Sequence, residues 1–280
     1  MRDAVAAEPF GRKPSRGAID GRMSHAIAPT GNVALLIDAD NAGAAYLDSV
    51  LTVLAEFGTV NVRRAYGNWE KPGLKSWKAL LMRHGIEPFQ QFDITKGKNA
   101  TDMRMTIDAM DLLLRGRITG FGIMSSDSDF MPLAQRIRQE GVPVYGFGTD
   151  RTPEGFRESC TRFIDVQSLD VEDVANMPLP PPIGGGPATA AAPATKPAPA
   201  PVRKQQKVDA AFVKLLSDAY DASKIDKKGF ASLSEVGQRA ANRSSFDTRN
   251  YGFKRLSDLI EKVKAFEVER RDTGIFVRLI

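Results

Sequence analysis

Four aspartates stand where apolar segments end or where a helix is predicted to begin. Asp38 closes the first apolar run, and Asp127 and Asp129 follow a later one. Asp102 opens a predicted helix. Because ligands gather at the carboxyl ends of the strands in an open parallel sheet, we expect these carboxylates at one rim. Carboxylates at close range repel each other and need a cation at neutral pH. Oxygen ligands without a Cys or His set favour Mg²⁺ or Mn²⁺.

A divalent ion at this rim would lower the pKa of a bound water and neutralise charge on a phosphodiester. Neighbouring side chains fit that chemistry. Asn41 is expected to orient a ligand or phosphate by hydrogen bonding, and Ser125 and Ser126 to do likewise. Lys96 and Lys98, in the loop before the predicted helix, are candidate phosphate contacts, with solvent-facing lysines as the alternative.

Two further aspartates have competing interpretations. Asp108, six residues after Asp102, is predicted either to support the site or to be a salt-bridged helix residue. Asp40 is interpreted as a cap at a helix start, which is the usual role of a single aspartate before a helix.

Apolar runs alternate with amphipathic segments between residues 31 and 175. Glycines follow the predicted helices, as expected for helix ends. Repeated β–α alternation predicts an α/β fold, a doubly wound, mainly parallel sheet with helices on both faces. Strands are predicted at 33–38, 60–66, 86–91, 121–125, 142–147 and 163–166, and helices at 42–56, 74–84, 101–115, 130–140 and 154–159.

Composition divides the chain into four parts. Residues 176–202 are almost entirely Pro, Ala and Gly, which predicts an extended, flexible linker. Residues 1–30 are predicted to be a disordered tail. The two remaining parts differ in charge, because residues 31–175 carry −4 and residues 203–280 carry +6. This division suits a basic module that binds a polyanion, joined to a domain that gathers carboxylates.

The C-terminal part is predicted to be a small winged-helix domain. Helices are expected at 208–220, 232–242 and 253–263, the second opened by a capping box between Ser232 and Glu235. A terminal hairpin is expected around the turn 272–274. Basic residues on and around the second and third helices are candidate phosphate contacts, with a solvated helix face as the alternative. They are Arg239, Arg243, Arg249, Lys254 and Arg255.

Three stretches resemble the NYN family of PIN-like nuclease domains, in particular its bacterial LabA-like branch. They are residues 36–41 (LIDADN), 98–108 (KNATDMRMTID) and 125–133 (SSDSDFMPL). The resemblance implies a PIN-like fold in which Asp38, Asp102 and Asp127 are catalytic and, with Asp129 beside them, hold the metal. It also implies Mg²⁺- or Mn²⁺-dependent hydrolysis of RNA. The family often has Gly where residues 39 and 40 stand here, a difference that leaves Asp38 untouched.

Residues 250–259 (NYGFKRLSDL) and the hairpin after them are similar to the OST-HTH, or LOTUS, family. Members of that family bind RNA, and some bind a helicase instead. RNA is therefore the expected partner. A protein partner of the C-terminal domain and a homodimer stay open as alternatives.

The combined expectation is a two-domain ribonuclease, whose linker lets the basic domain hold RNA near the cutting site. Two alternatives stay open. One is an RNA-binding regulator with a weak or silent nuclease site. The other is a haloacid-dehalogenase-like phosphatase, suggested by Asp38-Ala-Asp40, although Asn41 and Ala42 do not fit that pattern. No run of about 18 apolar residues predicts a membrane span, and the single cysteine excludes an internal disulfide, so a cytoplasmic location is expected.

Overall fold

The computed structural model describes residues 31–92, 100–169 and 207–280. The predicted tail and linker, together with Lys96 and Lys98, lie outside these residues. The first part contains strands β1 (Asn32–Asp38), β2 (Thr59–Gly67), β3 (Glu87–Gln90), β4 (Gly120–Met124), β5 (Val144–Gly148) and β6 (Arg162–Asp165). Its helices are α1 (Leu47–Leu54), α2 (Trp77–Arg83), α3 (Ala100–Leu114), α4 (Met131–Gln139) and α5 (Glu154–Ser159).

The six strands form one parallel sheet in the order β3-β2-β1-β4-β5-β6. The chain moves outward from β1 to β3, then returns to the other side of β1 and continues to β6. The strand order therefore reverses between β1 and β4. In open α/β sheets a crevice forms at the carboxyl ends of such a pair.

Helices cover both faces of the sheet, as the sequence predicts. Successive residues of β1 point to opposite faces, so Leu35 joins a core with α1 and α2, whereas Leu36 joins a core with α3, α4 and α5. Both side chains are fully buried. Strands that are apolar along their whole length are typical of parallel sheets covered on both faces.

The first helix begins later than predicted because the chain turns tightly after β1. The carbonyl oxygen of Asp38 accepts hydrogen bonds from the backbone N–H groups of Asn41 and Ala42. A 3-10 turn at Ala44–Tyr46 follows before α1 starts. The predicted glycine stops are confirmed at Gly85, Gly116 and Gly141, which have positive φ angles of 59°, 65° and 77°.

The C-terminal part consists of three helices and a small antiparallel sheet. The helices are α6 (Ala210–Asp221), α7 (Leu233–Arg243) and α8 (Leu256–Ile260), and the strands are β7 (Ala231–Ser232), β8 (Phe266–Arg271) and β9 (Gly274–Leu279). This is the predicted winged-helix arrangement. The third helix is shorter than predicted at both ends, because bends precede Leu256 and turns follow Ile260.

The predicted capping box at the start of α7 is wrong. The Ser232 side chain makes no cap hydrogen bond. The Glu235 carboxylate instead accepts hydrogen bonds from the Lys224 backbone N–H and the Arg239 guanidinium. The arginine four residues later thus takes the carboxylate that the capping box would use.

The C-terminal domain contacts the free side of β6. The Asn250 amide donates to the Phe163 carbonyl oxygen and accepts from the Asp165 N–H, both at 2.8 Å. The Phe163 N–H donates to the Ser245 carbonyl oxygen, also at 2.8 Å. Asn250 is buried, so the two parts of the chain meet through satisfied, desolvated hydrogen bonds.

Two charged groups add to this interface. Glu158, near the end of α5, accepts hydrogen bonds from the Ser245 N–H and hydroxyl. Arg249 pairs with Asp247 of its own domain and with Glu56, which follows α1. The two domains are therefore in direct contact, and β6 and Asn250 satisfy each other's polar groups.

Asn250→Ala is expected to lower the free energy of unfolding by roughly 2–4 kcal/mol, because it leaves two buried backbone groups on β6 without partners. Differential scanning calorimetry of the full chain measures this change. Asn242→Ala, at an exposed position of α7, is the matched control and should change the midpoint little. A loss no larger than that of the control would show that the interface does not contribute to stability.

No helix within the described residues is both long enough and apolar enough to cross a bilayer.

Candidate functional site

The reversal of strand order places the ends of β1 and β4 side by side. Asp38 is the last residue of β1, and Ser125 to Asp127 directly follow β4. The first turn of α3 brings Asp102 to the same rim. Three separate segments therefore meet where an open sheet forms its crevice.

Asp38 is the most deeply placed of these carboxylates. It is fully buried, and one carboxylate oxygen accepts hydrogen bonds from the Ser125 hydroxyl at 2.7 Å and the Asn41 side-chain amide at 2.9 Å. Burial raises the pKa of Asp38 above its usual value, whereas the hydrogen bonds from Ser125 and Asn41 oppose that rise. Asn41, predicted to orient a ligand, thus orients Asp38.

Ser125 connects the two strand ends. Its buried hydroxyl donates to Asp38 and accepts from the Asp127 N–H at 3.0 Å. The Asp127 carboxylate in turn accepts from the Asp129 N–H at 2.9 Å and caps the short turn Ser128–Phe130. The capping role therefore holds for Asp127, which also takes part in the acidic group described next.

Asp102, Asp127 and Asp129 form a compact acidic group. Each offers one carboxylate oxygen, and these three oxygens lie within 4.8 Å of one another. Burial and the nearby charges of Asp38, Asp127 and Asp129 raise the pKa of Asp102 to about 7. Such mutual repulsion is the electrostatic condition under which a cation stabilises a carboxylate cluster. The donor set is all oxygen, which fits a hard divalent ion.

Asp40 connects three segments beside the site. Its carboxylate accepts from the Lys71 ammonium at 3.0 Å and from the Thr101 hydroxyl at 3.3 Å. It therefore ties the end of β1 to the start of α3, next to Asp102. The interpretation of Asp40 as a simple helix-start cap is wrong, because both its carboxylate oxygens bond to side chains distant in sequence.

Asp108 lies one layer below the rim. It is buried and accepts a hydrogen bond from the Tyr66 hydroxyl at 3.0 Å. Arg64 and Arg104 pair with it at 3.5 and 3.4 Å. The desolvating surroundings and the Asp108 charge raise the pKa of Tyr66. Asp108 thus connects α3 to β2. It lies in a supporting position beneath the site and is also salt-bridged, so both predicted roles apply to it.

Ser126 contacts the end of the neighbouring strand β5. Its hydroxyl accepts from the Thr149 N–H at 3.1 Å and lies 3.4 Å from the Thr149 hydroxyl. It therefore connects the ends of β4 and β5. Its predicted contact with a phosphate stays a prediction.

The five candidate RNA-binding residues of the C-terminal domain fall into two groups. Arg239 and Arg243 are engaged in ion pairs with Glu235 at 2.8 Å and Asp218 at 3.2 Å, and Arg249 is held in the domain interface. Lys254 and Arg255 are exposed on the loop before α8. Among these five residues, Arg255 makes no ion pair within the described part of the chain.

The sequence interpretation did not identify the contributions of Tyr66, Lys71 and Thr101. Thr101 directly precedes Asp102, a closeness that could have pointed to it. Tyr66 and Lys71 lie 42 and 31 residues from their partners Asp108 and Asp40, and no local pattern signals such pairs.

A parallel sheet with helices on both faces and an acidic rim is consistent with a PIN-like nuclease fold, and sequence models of two domain families match the chain. Residues 32–170 match the NYN domain, and residues 203–277 match the OST-HTH/LOTUS domain. The chain therefore combines a NYN domain with an OST-HTH/LOTUS domain. The first is a family of PIN-like nuclease domains and the second a family of RNA-binding domains.

One curated relative is an uncharacterised protein from Methanocaldococcus jannaschii, 30% identical over 122 residues. The match covers 42% of this chain, and the chain spans about half (48%) of that protein's length.

Two solved structures are also similar. A crystal structure of a Vibrio parahaemolyticus protein of unknown function is 19% identical, with a TM-score of 0.42, covering 49% of this chain and 93% of that one. A solution structure of an uncharacterised Nitrosomonas europaea protein is 23% identical, with a TM-score of 0.25, covering 33% and 92%. These low scores carry no inference about this chain.

Proposed function

We propose that this protein is a Mg²⁺- or Mn²⁺-dependent ribonuclease. The observation that carries the proposal is the meeting of Asp102, Asp127 and Asp129, within 4.8 Å, beside the buried Asp38. A carboxylate group at the strand-order reversal of a NYN domain fits a divalent ion. A cytoplasmic location, expected from the sequence, is part of the same proposal.

Each residue has a distinct part in the proposed site. Asp102, Asp127 and Asp129 would hold the ion together with Asp38. Ser125 and Asn41 keep Asp38 oriented through hydrogen bonds, since a ligand with a fixed direction binds more tightly. When bound, a divalent ion supplies an activated water and neutralises charge on the phosphodiester. The basic C-terminal domain would hold the RNA.

The phosphatase alternative has less support from the same rim. That chemistry requires a second acid close to the nucleophilic aspartate, and Asp40 would have to serve. Its carboxylate is already bound by Lys71 and Thr101. The regulator alternative differs from our proposal only in catalytic activity, so an activity assay distinguishes them.

The test is cleavage of a labelled single-stranded RNA by the full chain, with Mg²⁺ or Mn²⁺ and with a chelator. We expect metal-dependent cleavage that falls by at least about a hundredfold in Asp127→Asn, because one charged ligand is lost. Asp111→Asn makes the same charge change at an exposed position of α3 and should cleave normally. Cleavage that persists equally in Asp127→Asn or in chelator would disprove the proposal, and absent cleavage with retained RNA binding would favour the regulator.

A further inference from the structure

A groove of about 710 Å³ opens between the two domains, at the opposite end of the strands from the acidic rim. The NYN domain contributes Glu56, which follows α1, and Arg162, the first residue of β6. Both mark the amino ends of the strands. A seven-residue strand such as β1 is roughly 20 Å long, so the groove is well separated from the aspartates.

One face of α7 forms a wall of this groove. The residues on that face recur every three or four positions and are small or polar without charge: Ser234, Gly237, Gln238, Ala241 and Asn242. A side chain at Gly237 would meet a Leu256 methyl group at 2.7 Å, so this glycine allows the start of α8 to approach α7 closely. The charged residues of α7, Glu235, Arg239 and Arg243, are not among the residues that line the groove.

The loop before α8 brings positive charge to the groove. Lys254 and Arg255 are exposed and line it together with Arg162. Arg255 has no ion-pair partner within residues 31–92, 100–169 and 207–280. By contrast, Arg162 pairs at 3.7 Å with Asp247, which also lines the groove. The hairpin arginines Arg270, Arg271 and Arg278 are likewise each paired with a carboxylate.

We propose that this interdomain groove binds an unpaired stretch of RNA. Lys254 and Arg255 would contact phosphates, and the polar face of α7 would meet base edges through Gln238 and Asn242. Uncharged hydrogen-bonding side chains beside exposed cations suit nucleotides, which present hydrogen-bonding base edges next to a charged backbone. A volume of this size holds a short single strand. The inference deepens the proposed function by naming the substrate's binding surface.

Binding is measured by fluorescence anisotropy of a labelled 12-nucleotide single-stranded RNA with the full chain, in chelator so that cleavage cannot interfere. We expect Arg255→Gln and Gln238→Glu each to weaken binding about tenfold, because the first removes a phosphate contact and the second adds a negative charge. Arg270→Gln, the matched control outside the groove, should stay within about twofold. Unchanged melting temperatures establish that the variants are folded.

Three results would overturn the groove assignment. These are unchanged binding in Arg255→Gln, a greater loss in Arg239→Gln than in Arg255→Gln, or no binding of RNA by the wild-type chain. Cleavage by the same proteins with Mn²⁺ tests the proposed function separately. If the wild-type protein binds RNA through the groove but does not cut it, the proposed nuclease activity is refuted and the groove assignment stands. If the protein cuts RNA and the groove variants bind it normally, the groove assignment is refuted and the nuclease activity stands.

Discussion

Asp102→Asn is expected to lower metal-dependent RNA cleavage by on the order of a thousandfold and, at the same time, to stabilise the metal-free protein at pH 8. The loss of activity follows from removing a charged ligand from the centre of the acidic group. The gain in stability follows from the crowding around Asp102. Burial and the neighbouring carboxylates raise the pKa of Asp102 to about 7. At pH 8 the metal-free protein must hold this carboxylate in its ionised form against that repulsion.

The sign of the pH effect is opposite to that of most aspartates. The folded protein keeps the Asp102 proton up to about pH 7, whereas the usual value for an unfolded aspartate is 3.8. Between these two pH values the folded state binds more protons than the unfolded state. The contribution of Asp102 to stability is therefore lost as the pH rises. Asparagine carries no charge and removes this loss, which should raise the melting temperature at pH 8 by about 2–4 °C after solvent screening.

Two measurements on each protein check this prediction, the cleavage rate with Mn²⁺ and the melting temperature in chelator. Asp111→Asn, on the same helix, is the control for the change in charge and should alter neither. If Asp102→Asn lost activity and also melted at a lower temperature, its effect would be structural damage, and the electrostatic account would be wrong.

Mn²⁺ is expected to stabilise the wild-type protein much more at pH 8 than at pH 5.5. A bound ion requires an ionised ligand, so metal competes with the proton on Asp102. At pH 5.5, about 1.5 units below a pKa of about 7, this competition weakens the apparent affinity roughly thirtyfold. At a concentration that saturates the site at pH 8, such a loss removes roughly 2 kcal/mol of stabilisation.

Thermal unfolding at several Mn²⁺ concentrations, at both pH values, measures this difference. Calorimetric titration in two buffers of different ionisation enthalpy should also detect a proton released on binding at pH 6.5. In Asp102→Asn the proton release should disappear. An equal rise in melting temperature at both pH values would show that Asp102 is not the group linked to metal binding.

The meeting of Asp38, Asp102 and Asp127 could be predicted from the sequence because parallel strands end at a common edge. Each aspartate follows or opens an element whose type can be predicted from its apolar pattern. The parallel arrangement of the strands then brings these positions to one edge of the sheet. The strand order itself was not predicted. It decides that β1 and β4 are neighbours, and so places Ser125 where it can donate to Asp38.

The contacts that could not be predicted are those between residues far apart in the chain. Arg249 was interpreted as an RNA contact because an arginine beside a basic helix favours phosphate. Its partner Glu56 is 193 residues away, and only the docked fold brings the two together. Asn250 likewise stands in a stretch typical of the LOTUS family, and nothing near it in sequence indicates that its amide completes β6.

The hydrogen bonds that Asn250 and Ser245 make to β6 have a consequence for any shortened form of the protein. A chain ending at residue 169 would leave the outward-facing Phe163 N–H, Phe163 carbonyl and Asp165 N–H without these partners. Unsatisfied groups along a sheet edge are a template for pairing with another molecule's strand. The winged-helix domain therefore covers the β6 edge and prevents it from pairing with another molecule. We expect the isolated NYN domain to aggregate more readily than the full chain.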